Sequence, residues 1–167
     1  MAGSLVLIQE TTVSSGVSSV SLVGIDTTFD VYKVVLNNMT VSTTAFMYWR
    51  VTKSGTNDST ANYDLAMNQL SADRDFSDFS TTNATQWGID AMTNTDVLNG
   101  IFYLFNFNNS SEYSFATWEQ TKNEGGNLRA EQGGGVHTVA SASDGIFLTL
   151  DTGTIDSGTF KLLGLRK

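Results

Sequence analysis

His137 is the only imidazole in 167 residues, and the chain has no cysteine. Ser and Asp are abundant, so a Ser-His-Asp relay is conceivable. No Gly-x-Ser-x-Gly nucleophile turn accompanies it, and "GGGVHTVAS" places His137 where a loop becomes a strand. A structural histidine is therefore expected. The acidic triplet Asp73, Asp75 and Asp78 in "DRDFSD" begins like a calcium loop, but such a loop needs Gly at position six and Glu at position twelve. Those positions hold Asp78 and Ala84, which favours a solvated turn. "KNEGGNLRAEQGGG" (122–135) is glycine-rich, yet it lacks the Gly-Lys-Ser/Thr ending of a phosphate cradle. It reads as a long mobile loop, or as one that orders against a neighbouring subunit. Without cysteine and with one histidine, no thiolate chemistry and no Cys- or His-rich metal site is available. The expectation is a protein without catalytic residues, metal or cofactor.

Trp49, Trp87 and Trp118 raise a different chemistry, since an aromatic face beside Asn and Asp is how many β-sandwich lectins hold sugars. Trp49 and Trp118 sit inside strand-like runs, where a core role is expected. Trp87, in "TQWGID", is flanked by turn residues and is the candidate exposed aromatic, as a sugar platform or an interface anchor.

The elements that would carry these residues read as strands. Charged residues are 16%, hydrophobic residues 40%, and roughly a quarter of the chain is Ser or Thr. Such a surface is poor for solvated helices and suits pleated structure, and it has few charges to desolvate on burial against other subunits. Net charge of −8 argues against nucleic acid, whose binding rests on cationic side chains. No run approaches the ~20 apolar residues of a membrane helix, and the first residues lack the basic and apolar regions of a secretion signal. Period-two runs separated by Gly, Ser and Asn turns give about eight or nine strands. The segment 62–76 is ambiguous between a short helix and another strand. We expect an all-β fold, a two-sheet, jelly-roll-like β-sandwich forming a single domain over 1–167.

The chain ends on "GTIDSGTFKLLGLRK". A turn at 156–158 leads into a last strand with Phe160 and Leu162 on one face, and Thr159, Lys161, Leu163 and Leu165 on the other. Lys161, Arg166 and Lys167 are three of the nine basic residues. Charges on an edge strand block unwanted pairing, or else this end meets an acidic partner. The interface candidates are Lys161, Leu163, Leu165, Arg166, Lys167 and Trp87. Deleting "GLRK" is expected to impair docking more than folding.

The segment "SLVLIQETTVSSGVSSVSLVGIDTTFDVYKVVLNNM", with its "GID-T-DVY" pattern, resembles the opening of small β-rich virion proteins of tailed bacteriophages, marine and cyanobacterial phages above all. "FNFNNSSEYSF", "GGGVHTVASASDGIFLTL" and "IDSGTFKLLGLRK" resemble later parts of that family, with Leu163 where the family has Tyr. The resemblance implies a virion structural protein assembled in the host bacterial cytoplasm. Its expected role is decorating or cementing the capsid, with a tail or tail-fibre component that binds a carbohydrate receptor as the alternative. The implied partners are the major capsid protein or tail proteins and further copies of itself, as in a trimer.

Overall fold

The computed structural model describes residues 4–166, so Lys167 lies outside the described residues. These residues form thirteen strands, and none of them is helical. The eight-stranded sheet runs β1 (Leu5–Val13), β13 (Ile155–Leu165), β3 (Val31–Val41), β9 (Leu98–Phe105), β10 (Ser114–Glu124), β11 (Asn127–His137), β6 (Tyr63–Ser71) and β7 (Ser77–Ala84). The five-stranded sheet holds β2 (Ser19–Val23), β12 (Gly145–Leu150), β4 (Ala45–Lys53), β5 (Thr56–Asn57) and β8 (Trp87–Met92), the last paired to β4. Every ladder is antiparallel. The two-sheet sandwich is as expected, with more strands than the eight or nine read from the sequence.

Strand order explains the jelly-roll character. One sheet reads β2-β12-β4-β8, and the other contains β3, β9, β6 and β7 in that order, with the chain crossing between sheets at most links. That is the jelly-roll alternation. The β10–β11 hairpin is inserted between β9 and β6, and β13 with β1 is added beside β3.

Period-two burial forms the core. In β10, Ser114, Ala116, Trp118, Gln120 and Lys122 point inward while the residues between them point out. The ambiguous segment 62–76 is settled the same way, as Tyr63, Leu65 and Met67 face inward from β6. Trp49 and Trp118 are core residues, and the Trp49 ring lies 4.1 Å from that of Phe102.

Two sequence readings are corrected here. The segment 122–135 is not a loop. It is a hairpin whose eleven-residue strands pair along their whole length. Only Gly125 and Gly126 turn, at φ 59° and 89°, the positive values that a tight two-residue hairpin turn requires. The glycines after them make room. A methyl group at Gly133 would sit 2.9 Å from the Trp118 ring, and one at Gly135 would sit 2.5 Å from Trp87 Nε1 and 3.0 Å from Asp64 O. The second correction concerns the last strand. Its face assignments hold, since Phe160 and Leu162 are buried and Lys161 and Leu163 are partly exposed. It is not an edge, however: β13 lies between β1 and β3.

Gly135→Ala must displace either the indole or the neighbouring backbone, so a loss of ~2 kcal/mol is expected in urea unfolding. Gly125→Asn, at a turn position that tolerates Asn, is expected to change stability far less. Equal effects at the two positions would remove the packing explanation.

Candidate functional site

The outer face of the eight-stranded sheet carries its side chains in rows fixed by the registers. At one end Leu5 lies beside Leu165, and Phe105 lies between Val31 and Phe115, which opposes Val136. In the next row Leu7 pairs with Leu163, Lys33 with Leu163 and Tyr103, and Thr117 with Tyr103 and Gly134. Leu5, Leu7, Leu165 and Phe115 are 47%, 52%, 40% and 43% exposed. Single exposed apolar residues are ordinary, but adjacent ones on one sheet face form a patch of the kind that marks an interaction surface.

Away from this end the face turns polar. Glu10, Lys161, Val35, Ile101, Glu119, Gln132, Asn68 and Asp78 follow one another across the sheet. Small residues at Ala66, Gly134 and Thr117 lie between the large side chains of β9 and the β7 edge, which leaves the surface hollowed there.

The sequence candidates divide between places. Leu163 and Leu165 lie on the apolar end of this face. Lys161 lies on the same face but pairs with Glu10 at 3.2 Å, so it is not a free docking cation. Arg166 continues the pairing through its backbone, its N–H donating to Ser4 O at 3.0 Å, and its side chain is exposed. Trp87 is a correction: it is 1% exposed and belongs to the core. Its Nε1 donates to Asp64 O at 3.2 Å and Val136 O at 3.3 Å, tying the small sheet to the large one. Turn residues flank it in sequence, but the gap left by Gly135 receives it. Leu5, Leu7, Phe105 and Phe115 complete the patch and were missed. Only strand order brings residues 5 and 7 beside 165 and 163, and the apolar run "IFYLF" gives no sign of which residues face out.

Buried polar groups lie on the other side of the sheet. His137 is fully buried and its ring is 4.8 Å from that of Tyr63. Its Nε2 is 3.4 Å from Asp58 Oδ2, yet burial and then Lys53 push its pKa down, so it stays neutral. Ser114 is its cross-strand neighbour, which completes a Ser-His-Asp set by residue type. Ser114 Oγ makes no hydrogen bond to it, and both are sealed from solvent. Asp58, held by Lys53 at 2.8 Å and by Thr60, has its carboxyl well below the usual range.

At the turn end of the hairpin, three carboxylates (Asp73, Asp90, Glu124) share three cations (Arg74, Lys122, Arg129), and the buried Glu131 lies beside them. Asp73 joins the Arg129 guanidinium in a close ion pair and lies below the ordinary carboxylate range. Of the calcium-loop triplet, then, Asp73 serves a structural ion pair. Lys122 reaches Asp90 at 3.1 Å and Glu124 at 3.4 Å. Glu131 receives neutral donors instead: Gln120 Nε2 at 2.8 Å and the Asp90 N–H at 3.1 Å. Burial first, and the Asp90 carboxylate second, push Glu131 up to about 7.

The sign of the linkage follows. A carboxyl with a folded pKa near 7 against 4.5 unfolded holds its proton more tightly in the native state, so its contribution is fully present below the unfolded value. It is lost as pH rises to about 7. His137 acts in the opposite sense, being neutral when folded, so the test is a difference between proteins. Glu131→Gln is expected to gain stability relative to the native protein as pH rises from 5 to 8 in melting experiments, with little difference at pH 5. Parallel pH profiles for the two proteins would show that Glu131 does not titrate in this range.

Neither a protein-family model nor a curated protein sequence matches the chain. A solved structure of a fructofuranosidase variant from Schwanniomyces occidentalis, complexed with fructosylnystose, aligns at 7% identity and a TM-score of 0.29. The alignment covers 98% of this chain and 34% of that one, so the chain spans about a third of its length. A likeness at that level carries no functional argument.

Proposed function

We propose that this chain is a non-enzymatic structural protein of a phage particle. It decorates or cements the capsid, docking through the apolar end of the large sheet's outer face. The observation that carries this reading is the patch of Leu5, Leu7, Leu163, Leu165, Phe105 and Phe115 on a chain whose inner face is already packed. Burying the remaining area of each half-exposed side chain contributes about 1 kcal/mol. One copy would therefore bind weakly, and symmetric self-association, as in a trimer, would multiply the contact. The sequence resemblance to tailed-phage virion proteins and the low charge support the same reading. The particle surface, or a tail in the alternative placement, supplies the partner.

The structure changes how docking is best tested. Removing "GLRK" would strip Gly164 and Leu165 from an interior strand, and Gly164 packs against the Phe29 ring. That deletion damages the sheet, so point substitutions are the cleaner probe. Leu7→Glu with Leu165→Glu is expected to leave the isolated fold nearly unchanged, as both side chains face solvent. Incorporation into particles, measured by quantitative mass spectrometry, is expected to fall at least about tenfold, as two desolvated charges would require. Normal incorporation of the double variant would sink the docking assignment. Copy number per particle separates head from tail: hundreds for a decoration protein, a handful for a tail component.

A further inference from the structure

The polar half of the same outer face holds a trough of about 660 Å³ across β6, β7, β9, β10 and β11. Its outward side chains include Asn68, Asp78, Ser80, Thr117, Glu119 and Gln132, with the Tyr103 ring and Ile101 beside them. None of these six polar side chains has a hydrogen-bond or ion-pair partner within the described residues. The buried carboxylate Glu131, by contrast, is held by several donors. The trough continues into a depression of about 490 Å³ at Asn99, Thr121 and Ala130, and into one of about 710 Å³ at Thr82, Phe115 and Val136. Shared residues join the three: Ile101, Glu119 and Gln132 on one side, Ala66, Ser80 and Thr117 on the other. From the Phe115 row to the Thr121 row the hollow spans about 20 Å at the usual rise per residue.

We propose that this trough binds a neutral glycan chain. Carboxylates and amides that accept and donate in pairs suit adjacent hydroxyls, and an aromatic ring offers a face for the C–H side of a sugar. Its floor is the face of β6, β9, β10 and β11, each paired on both sides, so it presents no free backbone to an extended peptide; the unpaired edge of β7 lies only at its rim. Charge selects within the class. Asp64, Asp78 and Glu119 line the hollow, no Lys or Arg is among its described lining residues, and Lys33 beside it is engaged over the Tyr103 ring at 5.4 Å. Sugars carrying carboxylate or sulfate are therefore excluded. This proposal moves sugar recognition from the buried Trp87 to Tyr103; the hollow meets the docking patch at Phe115, while Tyr103, Thr117, Glu119 and Gln132 lie outside that patch.

The test is a titration of isotopically labelled full-length protein with neutral gluco-, manno- and galacto-oligosaccharides and with an oligouronate, followed by amide chemical shifts. At least one neutral series is expected to shift the amides of Tyr103, Thr117, Glu119 and Gln132 with an affinity in the ~0.1–1 mM range. Tyr103→Ala, and the near-isosteric Glu119→Gln that protects the result against a folding defect, are each expected to weaken binding about tenfold or more. Leu165→Glu is expected to leave it unchanged. The proposal is overturned if no neutral series shifts these amides at ~10 mM, or if the oligouronate binds as well. It also fails if both trough variants bind normally. The same amides shifting on dilution alone, with a fall in solution mass, would show that a second copy covers the face and would equally overturn it.

Discussion

The indole of Trp87 lodged against Gly135 is the contact on which the rest of the sandwich depends. Trp87 belongs to the small sheet, yet its N–H donates to two carbonyls of the large one, on β6 and β11. A buried indole N–H needs a partner, and it can reach these only because residue 135 has no side chain. Tyr63 packs edge-on against the same ring at 5.3 Å, and Phe107 stands at 6.5 Å. Tyr63 in turn donates to Asp58 O at 2.6 Å and accepts from the Val51 N–H at 3.2 Å. One aromatic group thereby fixes the spacing of the sheets and the path of the chain between β5 and β6. The tryptophan that looked like a ligand platform is the clasp that holds the platform's other side.

That clasp also determines what the outer face can be. The inserted hairpin sits between β9 and β6, so its inner residues must fit under the small sheet while its outer residues are free of core constraints. Gly133 and Gly135 meet the inner demand by yielding space to Trp118 and Trp87. Gly134, between them, points outward and leaves the hollow next to Thr117. A run of three glycines thus packs the core on one side and carves the surface on the other. Nearer the turn the inward positions are Lys122, Arg129 and Glu131 instead of apolar groups. There the strands are held by ion pairs, with Glu131 left as the carboxyl in excess.

How much of this the sequence discloses depends on the range of the interaction concerned. Alternation is local, so the strand "FKLLGL" and its two faces could be read directly, as could the inward placement of Trp49 and Trp118. Strand order is not local. Nothing in residues 155–165 reveals that residues 5–13 cover them, which is why a strand with basic residues looked like an edge. The glycines of 125–135 carry different meanings within eleven residues: two turn the chain, two make room for indoles and Gly134 hollows the surface. Sequence spacing alone cannot separate those uses, because the indoles that require the space come from residues 87 and 118. The site candidates follow the same rule: Leu163 and Leu165 were found through their strand, while Leu5, Leu7 and Tyr103 join them only through pairing.

A face divided into an apolar end and a polar hollow has a consequence for assembly. The division runs across β9, where Phe105 lies in the apolar row and Tyr103 and Ile101 border the trough. A partner that covers the apolar rows must stop near Tyr103, because beyond it Glu119, Gln132, Asn68 and Asp78 would have to be desolvated without matched groups, at a cost comparable to the gain from the leucines. The polar rows therefore limit the footprint, and the Lys161–Glu10 pair marks its border on the β1 side. An interface confined in this way is small. Copies held by a few leucines each would gain their strength from number, and the polar part of the hollow beyond Phe115 would stay open to solvent beside every one of them.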